Sequence, residues 1–116
     1  MDHQYKQISG RATALDGAAA ADLLASSTGA VVRVVTVHVS VTASFSGGAG
    51  IVTLRDGTAG TIIAQIVATA NNHLDMDFHD GLGYPLTAGN ALSLEVSGGT
   101  TEGTAIAIAT GYLTGV

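Results

Sequence analysis

The chain has no cysteine, no tryptophan and a single proline, and its aromatics are three Tyr and two Phe. Without thiols there can be no disulfide and no thiolate metal site. Basic residues are nearly as scarce: Lys6, Arg11, Arg33 and Arg55 stand against nine acids, for a net charge of −5. Four scattered cations cannot displace the counterions of a nucleic acid, so a nucleic-acid partner is not expected. Charge of both signs amounts to 11% of the chain, where about 25% is usual for a soluble domain. Long apolar runs are also missing. Val34 to Leu54 holds no Asp, Glu, Lys or Arg, but it contains His38, several Ser and Thr, and the break Gly47-Gly48-Ala49-Gly50. A membrane-spanning helix needs about 20 predominantly apolar residues, so no membrane partner is expected either. The opening Met1-Asp2-His3-Gln4-Tyr5-Lys6 lacks the basic start and apolar run of a secretory signal.

Small residues take the place of those that are missing. There are 19 Ala, 16 Gly, 14 Thr and 8 Ser in 116 residues. A chain of this length can bury roughly two-thirds of its unfolded surface and so can build one core without staples.

The dominant pattern has period two. From Val35 to Phe45 the odd positions are Val35, Val37, Val39, Val41, Ala43 and Phe45, and the even ones are Thr36, His38, Ser40, Thr42 and Ser44. Side chains alternate across a strand, so this is one long strand with its odd face inward. Val31-Val32-Arg33-Val34 breaks the phase, which a bulge would reconcile. Further strands follow at Ile51–Arg55, with Val52 and Leu54 inward, and at Thr61–Thr69, with Ile62, Ala64, Ile66 and Ala68 on one face. Leu74, Met76 and Phe78 alternate with Asp75, Asp77 and His79 in a fourth. A fifth, Ala91–Ser97, points Leu92, Leu94 and Val96 inward and Ser93, Glu95 and Ser97 outward. The last, Thr104–Leu113, sets Ile106 and Ile108 against alanines. Asp56-Gly57, Asn71-Asn72 and Thr87-Ala88-Gly89-Asn90 are turn signals. Short strands at about ten-residue spacing predict an all-β, antiparallel β-sandwich.

The first thirty residues read differently. Asp16 to Leu24 is rich in Ala and Leu, which suits a short helix. The preferred alternative is a strand at Asp22–Ser26 paired with the strand after Thr28-Gly29. Residues 1 to 12 are polar and are expected to form an arm ordered by a neighbour. The expected organisation is an N-terminal arm and lead-in segment over residues 1–30 and a β-sandwich domain over 31–116.

No catalytic constellation emerges. There is no Gly-x-Ser-x-Gly elbow, and Asp56-Gly57-Thr58-Ala59-Gly60-Thr61 lacks the lysine of a phosphate loop. The densest polar cluster is His73, Asp75, Asp77 and His79, spaced to share one strand face. Imidazole and carboxylate are ordinary ligands for divalent ions, so these four are metal candidates. The other reading is a solvating face or an acidic patch at a subunit contact. His38 is placed on a distant strand and so completes no site. Strand faces built from Thr and Ser in place of Lys and Glu are weakly repelled by other protein surfaces and lose little entropy on burial. The interface candidates are therefore Thr36, His38, Ser40 and Thr42 together with His73, Asp75, Asp77 and His79.

Several segments carry a resemblance in order: Val35 to Phe45, Ile51-Val52-Thr53-Leu54-Arg55-Asp56-Gly57, Leu74 to Phe78, Pro85 to Ser93 and Thr110-Gly111-Tyr112-Leu113. Together they resemble small β-sandwich virion proteins of tailed bacteriophages, of the capsid decoration or cement type. The resemblance implies a jelly-roll-like sandwich without enzymatic activity or cofactor. It also implies a homotrimer bound to the major capsid protein on the capsid surface, after assembly in the host cytoplasm. Related tail or head-fibre modules that bind a host glycan or protein are the alternative it suggests.

Overall fold

The computed structural model describes residues 5–14, 20–43, 50–78, 83–97 and 104–115. The strands are β1 (Tyr5–Ala14), β2 (Ala21–Leu24), β3 (Val31–Ala43), β4 (Ile51–Asp56), β5 (Thr61–Val67), β6 (His73–Asp77), β7 (Tyr84–Pro85), β8 (Leu92–Ser97) and β9 (Thr104–Thr114). They form two antiparallel sheets. One has the order β1-β9-β3-β6, with β7 also on β3, and the other has the order β2-β8-β4-β5. The chain crosses repeatedly from one sheet to the other, which is the connectivity of a double-sheet jelly roll.

The core lies between the sheets. Val32, Val34, Val37, Val39 and Val41 enter it from β3, and Val52, Leu54, Leu92, Leu94 and Val96 from β4 and β8. The phase break in β3 is a bulge at Val35, where the register with β9 shifts between Val34 and Thr36. One extra residue lets even-numbered valines before the bulge and odd-numbered ones after it face the same way. Val35 itself is only half-buried, and the expectation that it shares the inward face of Val37 is corrected.

β9 reverses the expected packing. Ala105, Ala107 and Ala109 are fully enclosed, whereas Ile108 is 49% exposed and Ile106 half-buried. Both phases of this strand are apolar, so alternation alone does not choose between them. The space between the sheets does. β9 is flanked by β1 and β3 at the middle of its sheet, where leucines from the facing sheet already fill the core and leave room for methyl groups. Ile62 is likewise outward, at 45% exposed, because the β4–β5 register slips between Leu54 and Arg55. Ser93 keeps the outward phase, opposite Arg55, but is buried there, and its Oγ has no hydrogen-bond partner among the described residues.

The N-terminal segment also differs from expectation. Tyr5–Ala14 is no arm: β1 pairs with β9 along its full length, from Tyr5 opposite Thr114 to Ala14 opposite Ala105. Ala12 is buried, and Ile8 packs against the core. Backbone hydrogen bonding to an open strand edge supplies what the polar side chains do not. β1 also runs hard against β2, where a Cβ on Gly10 would collide with the Leu23 carbonyl oxygen. Only glycine permits that approach. Ala21–Leu24 is a strand, as preferred, but its partner is β8 and not β3. Leu23 and Leu24 are both buried. The division at residue 30 therefore does not separate an arm from the sandwich, since β1 and β2 belong to its sheets.

Two turns that are remote in sequence are tied together by Asp56. Its carboxylate accepts from the Thr87 backbone N–H at 3.0 and 3.1 Å, from the Thr87 hydroxyl at 2.8 Å and from Asn90 Nδ2 at 3.0 Å. Desolvation works to raise its pKa, but the bonds from Asn90 and Thr87 outweigh it and hold the carboxyl below its ordinary value. Gly57 follows with φ +83, beside the Asn90 side chain, so the Asp-Gly turn and the Thr87–Asn90 turn pack as a unit.

Candidate functional site

The interface candidates that the structure describes lie on one surface, the outer face of the sheet β1-β9-β3-β6. Strand register arranges this face in cross-strand rows. Ser9, Thr110, Thr36 and Asp77 form one row. Arg11, Ile108, His38 and Asp75 form the next, and Thr13, Ile106, Ser40 and His73 the one after. Thr42 lies further along β3, and its hydroxyl donates to the Thr104 carbonyl at 3.3 Å. His79 lies outside the described residues.

His38 is not remote from the β6 cluster. β3 and β6 are hydrogen-bonded neighbours, His38 is opposite Asp75, and its Nδ1 pairs directly with Asp75 Oδ1. Ser40 Oγ lies 3.3 Å from His38 Nε2. Thr36 and Thr110 share a hydroxyl–hydroxyl hydrogen bond of 2.5 Å across the β3–β9 seam. Hydrogen bonds of this kind hold short side chains level with the sheet, and the polar groups end up bonded to one another rather than projecting.

The cluster does not make a metal centre among the described residues, where no three His, Asp or Glu side chains converge. Side chains at i and i+2 on one strand stand about 6.5–7 Å apart, which spreads His73, Asp75 and Asp77 along the edge. The nearest partner across the sheet is His38, and it takes one carboxylate only.

In the three rows from Ser9 to His73 charge is confined to the two edges, while in the row before them Arg33 on β3 shares the outward phase with Gln7 and Tyr112. Arg11 on β1 has no ion pair or hydrogen bond among the described residues. Asp75 and Asp77 lie on β6 at the opposite edge. Between them runs a neutral strip of Thr, Ser, His and Ile. The outer face of the second sheet is organised differently: Arg55 donates to Glu95 at 2.5 Å and to the Gly60 carbonyl at 2.8 Å, so its central charges are satisfied internally.

A groove opens beside the bulge, lined by Gln7, Ser9, Val35, Thr110 and Tyr112. Sequence alone does not reveal it, because polarity places residues 1–12 in an arm and alternation places Val35 in the core. The phase break before Val35 was the available signal. The Phe78 and Tyr84 rings meet in a tilted contact, at a centroid distance of 5.5 Å and an interplanar angle of 49°, beside the β6 edge.

No protein-family model and no curated protein matches the chain. Among solved structures, the chain is similar to Bacillus endospore appendages described as a novel family of disulfide-linked pili, with 13% identity and a TM-score of 0.49. That similarity covers 96% of this chain and 90% of the other. A likeness at this level assigns no function. Among the described residues no helix is long and apolar enough to cross a membrane.

Proposed function

We propose that this chain is a structural virion protein of the capsid-decoration type, a jelly-roll subunit that associates with copies of itself and braces neighbouring capsid subunits. The observation that carries the reading is the outer face of the β1-β9-β3-β6 sheet. It is long, poor in charge, covered by Thr and Ser that bond to one another, and it exposes Ile108 at its centre. Such a surface gives up little hydration and little side-chain entropy when another protein covers it. The work of the molecule on this reading is mechanical. The sandwich supplies a rigid plate, and the plate docks.

Two measurements test it. Light scattering of the purified chain should give a mass that is a multiple of 11.5 kDa. Shells assembled from the major capsid protein of the same genome should carry the chain down on sedimentation and melt at a higher temperature with it bound. A chain that stays monomeric at millimolar concentration and remains in the supernatant refutes the reading.

The groove beside the bulge favours the alternative, a tail or head-fibre module that binds a host glycan. Tyr112 offers a ring for stacking, with Gln7 and Ser9 as hydrogen-bonding neighbours. Chemical-shift changes confined to these residues on titration with an oligosaccharide, abolished by Tyr112→Ala, would establish it.

A further inference from the structure

The outer face of the β1-β9-β3-β6 sheet is complementary to itself, and from this we infer that two copies pair face to face about a two-fold axis running parallel to the strands. The inference rests on the self-association proposed above and names its geometry. A rotation about such an axis exchanges the two halves of the face. β1 of one copy then lies over β6 of the other, and β9 lies over β3. Position along the strands is preserved, so each cross-strand row meets itself reversed. In the row Arg11, Ile108, His38, Asp75 the consequence is specific. Arg11 comes over the other copy's Asp75, and Ile108 comes over the other copy's His38. The symmetry then repeats both contacts.

The alternative two-fold, perpendicular to the strands, places β1 over β1 and β6 over β6. With the axis through the Arg11 row it brings Arg11 to Arg11 on one edge and Asp75 to Asp75 on the other. Charge therefore selects between the two axes, since like charges in apposition cost free energy and opposite charges recover it. Arg11 is available for this role: it is exposed and has no partner among the described residues. Asp75 uses one oxygen on His38, and a carboxylate can accept at both oxygens. The second sheet offers no comparable pairing, because Arg55 and Glu95 bond within one chain.

The area is adequate for a modest dimer. Four strands at about 4.8 Å spacing and about eight residue steps of about 3.3 Å give a face of roughly 500 Å², or about 1,000 Å² over two copies. That is the floor for a specific interface and corresponds to a weak, concentration-dependent pair. Aligned sheets pack at an inclination of about 30°. At the sheet edges this displaces the apposed rows by a few ångströms, within reach of an arginine side chain.

The test is sedimentation equilibrium of the full chain from about 1 µM to 1 mM, with circular dichroism to check that each variant is folded. The wild-type chain should pass from 11.5 kDa to twice that mass. Arg11→Asp should weaken the pair by at least about tenfold, and so should Ile108→Glu. The charge-swapped double variant Arg11→Asp with Asp75→Arg should recover most of the loss, which a merely structural role for either residue would not do. A wild-type assembly that ignores both single substitutions, or that forms at three times the chain mass, overturns this geometry and leaves the self-association reading standing. A chain that is monomeric throughout overturns both.

Discussion

Replacing Asp56 by Asn isolates the contribution of one charge to the tie between two turns. The carboxylate accepts at both oxygens, from the Thr87 N–H, the Thr87 hydroxyl and Asn90 Nδ2. Asn keeps the shape but has one carbonyl oxygen, and its amide turns a donor toward groups that also donate. Hydrogen bonds to a charged group contribute about 1.5–3 kcal/mol net. Thr87 is exposed, so water replaces part of what is lost, and the contacts do not add. The expected cost of Asp56→Asn is therefore about 2 kcal/mol at pH 7. For a domain of this size that lowers the melting temperature by roughly 8 °C. The pH dependence follows from the direction of the shift. The folded carboxyl titrates below its unfolded value, so the stabilisation is fully present above the unfolded pKa of about 3.9. It is lost as pH falls from there through the lower folded value. Urea unfolding of the wild-type and Asn chains at pH 7 and near pH 3 reads this directly. The gap between them should narrow at the lower pH. An equal gap at both pH values, or one below about 0.5 kcal/mol at pH 7, would refute the reasoning.

Other substitutions probe the packing. Gly10→Ala drives a methyl group into the Leu23 carbonyl and should cost about 2–4 kcal/mol by urea unfolding, whereas a chain end lying outside the sandwich would tolerate it. Ala107→Leu overfills the fully enclosed alanine row of β9 and should cost about 1–3 kcal/mol; a neutral result in calorimetry would mean that the sheets can part there. Ser93→Ala removes a buried hydroxyl with no partner among the described residues. It should be neutral or stabilise by up to about 1 kcal/mol, and a loss of more than that in thermal melts would reveal a hydrogen bond to Ser93.

Much of the architecture was legible in the residues themselves. Period-two alternation in β3, β6 and β8 depends only on local backbone geometry, since successive side chains on a strand point to opposite faces. Their apolar phase therefore identifies strands and a sandwich. The same ground places Thr36, His38, Ser40, Thr42, His73, Asp75 and Asp77 outward, and none of them enters the core. Where both phases of a strand are apolar, as in β9, alternation carries no information, and in β1 the inward phase of Lys6, Ile8, Gly10 and Ala12 is too small and mixed to stand out. The phase of β9 was decided by how much volume the leucines of the facing sheet leave. The place of β1 was decided by an open edge on β9 that needed backbone partners. The approach of His38 to Asp75 was likewise a tertiary event. It joins residues 37 positions apart through the pairing of β3 with β6, and no spacing within either strand encodes that pairing. Local periodicity determined what each strand is, and the competition of strands for edges and for core volume determined which strands meet.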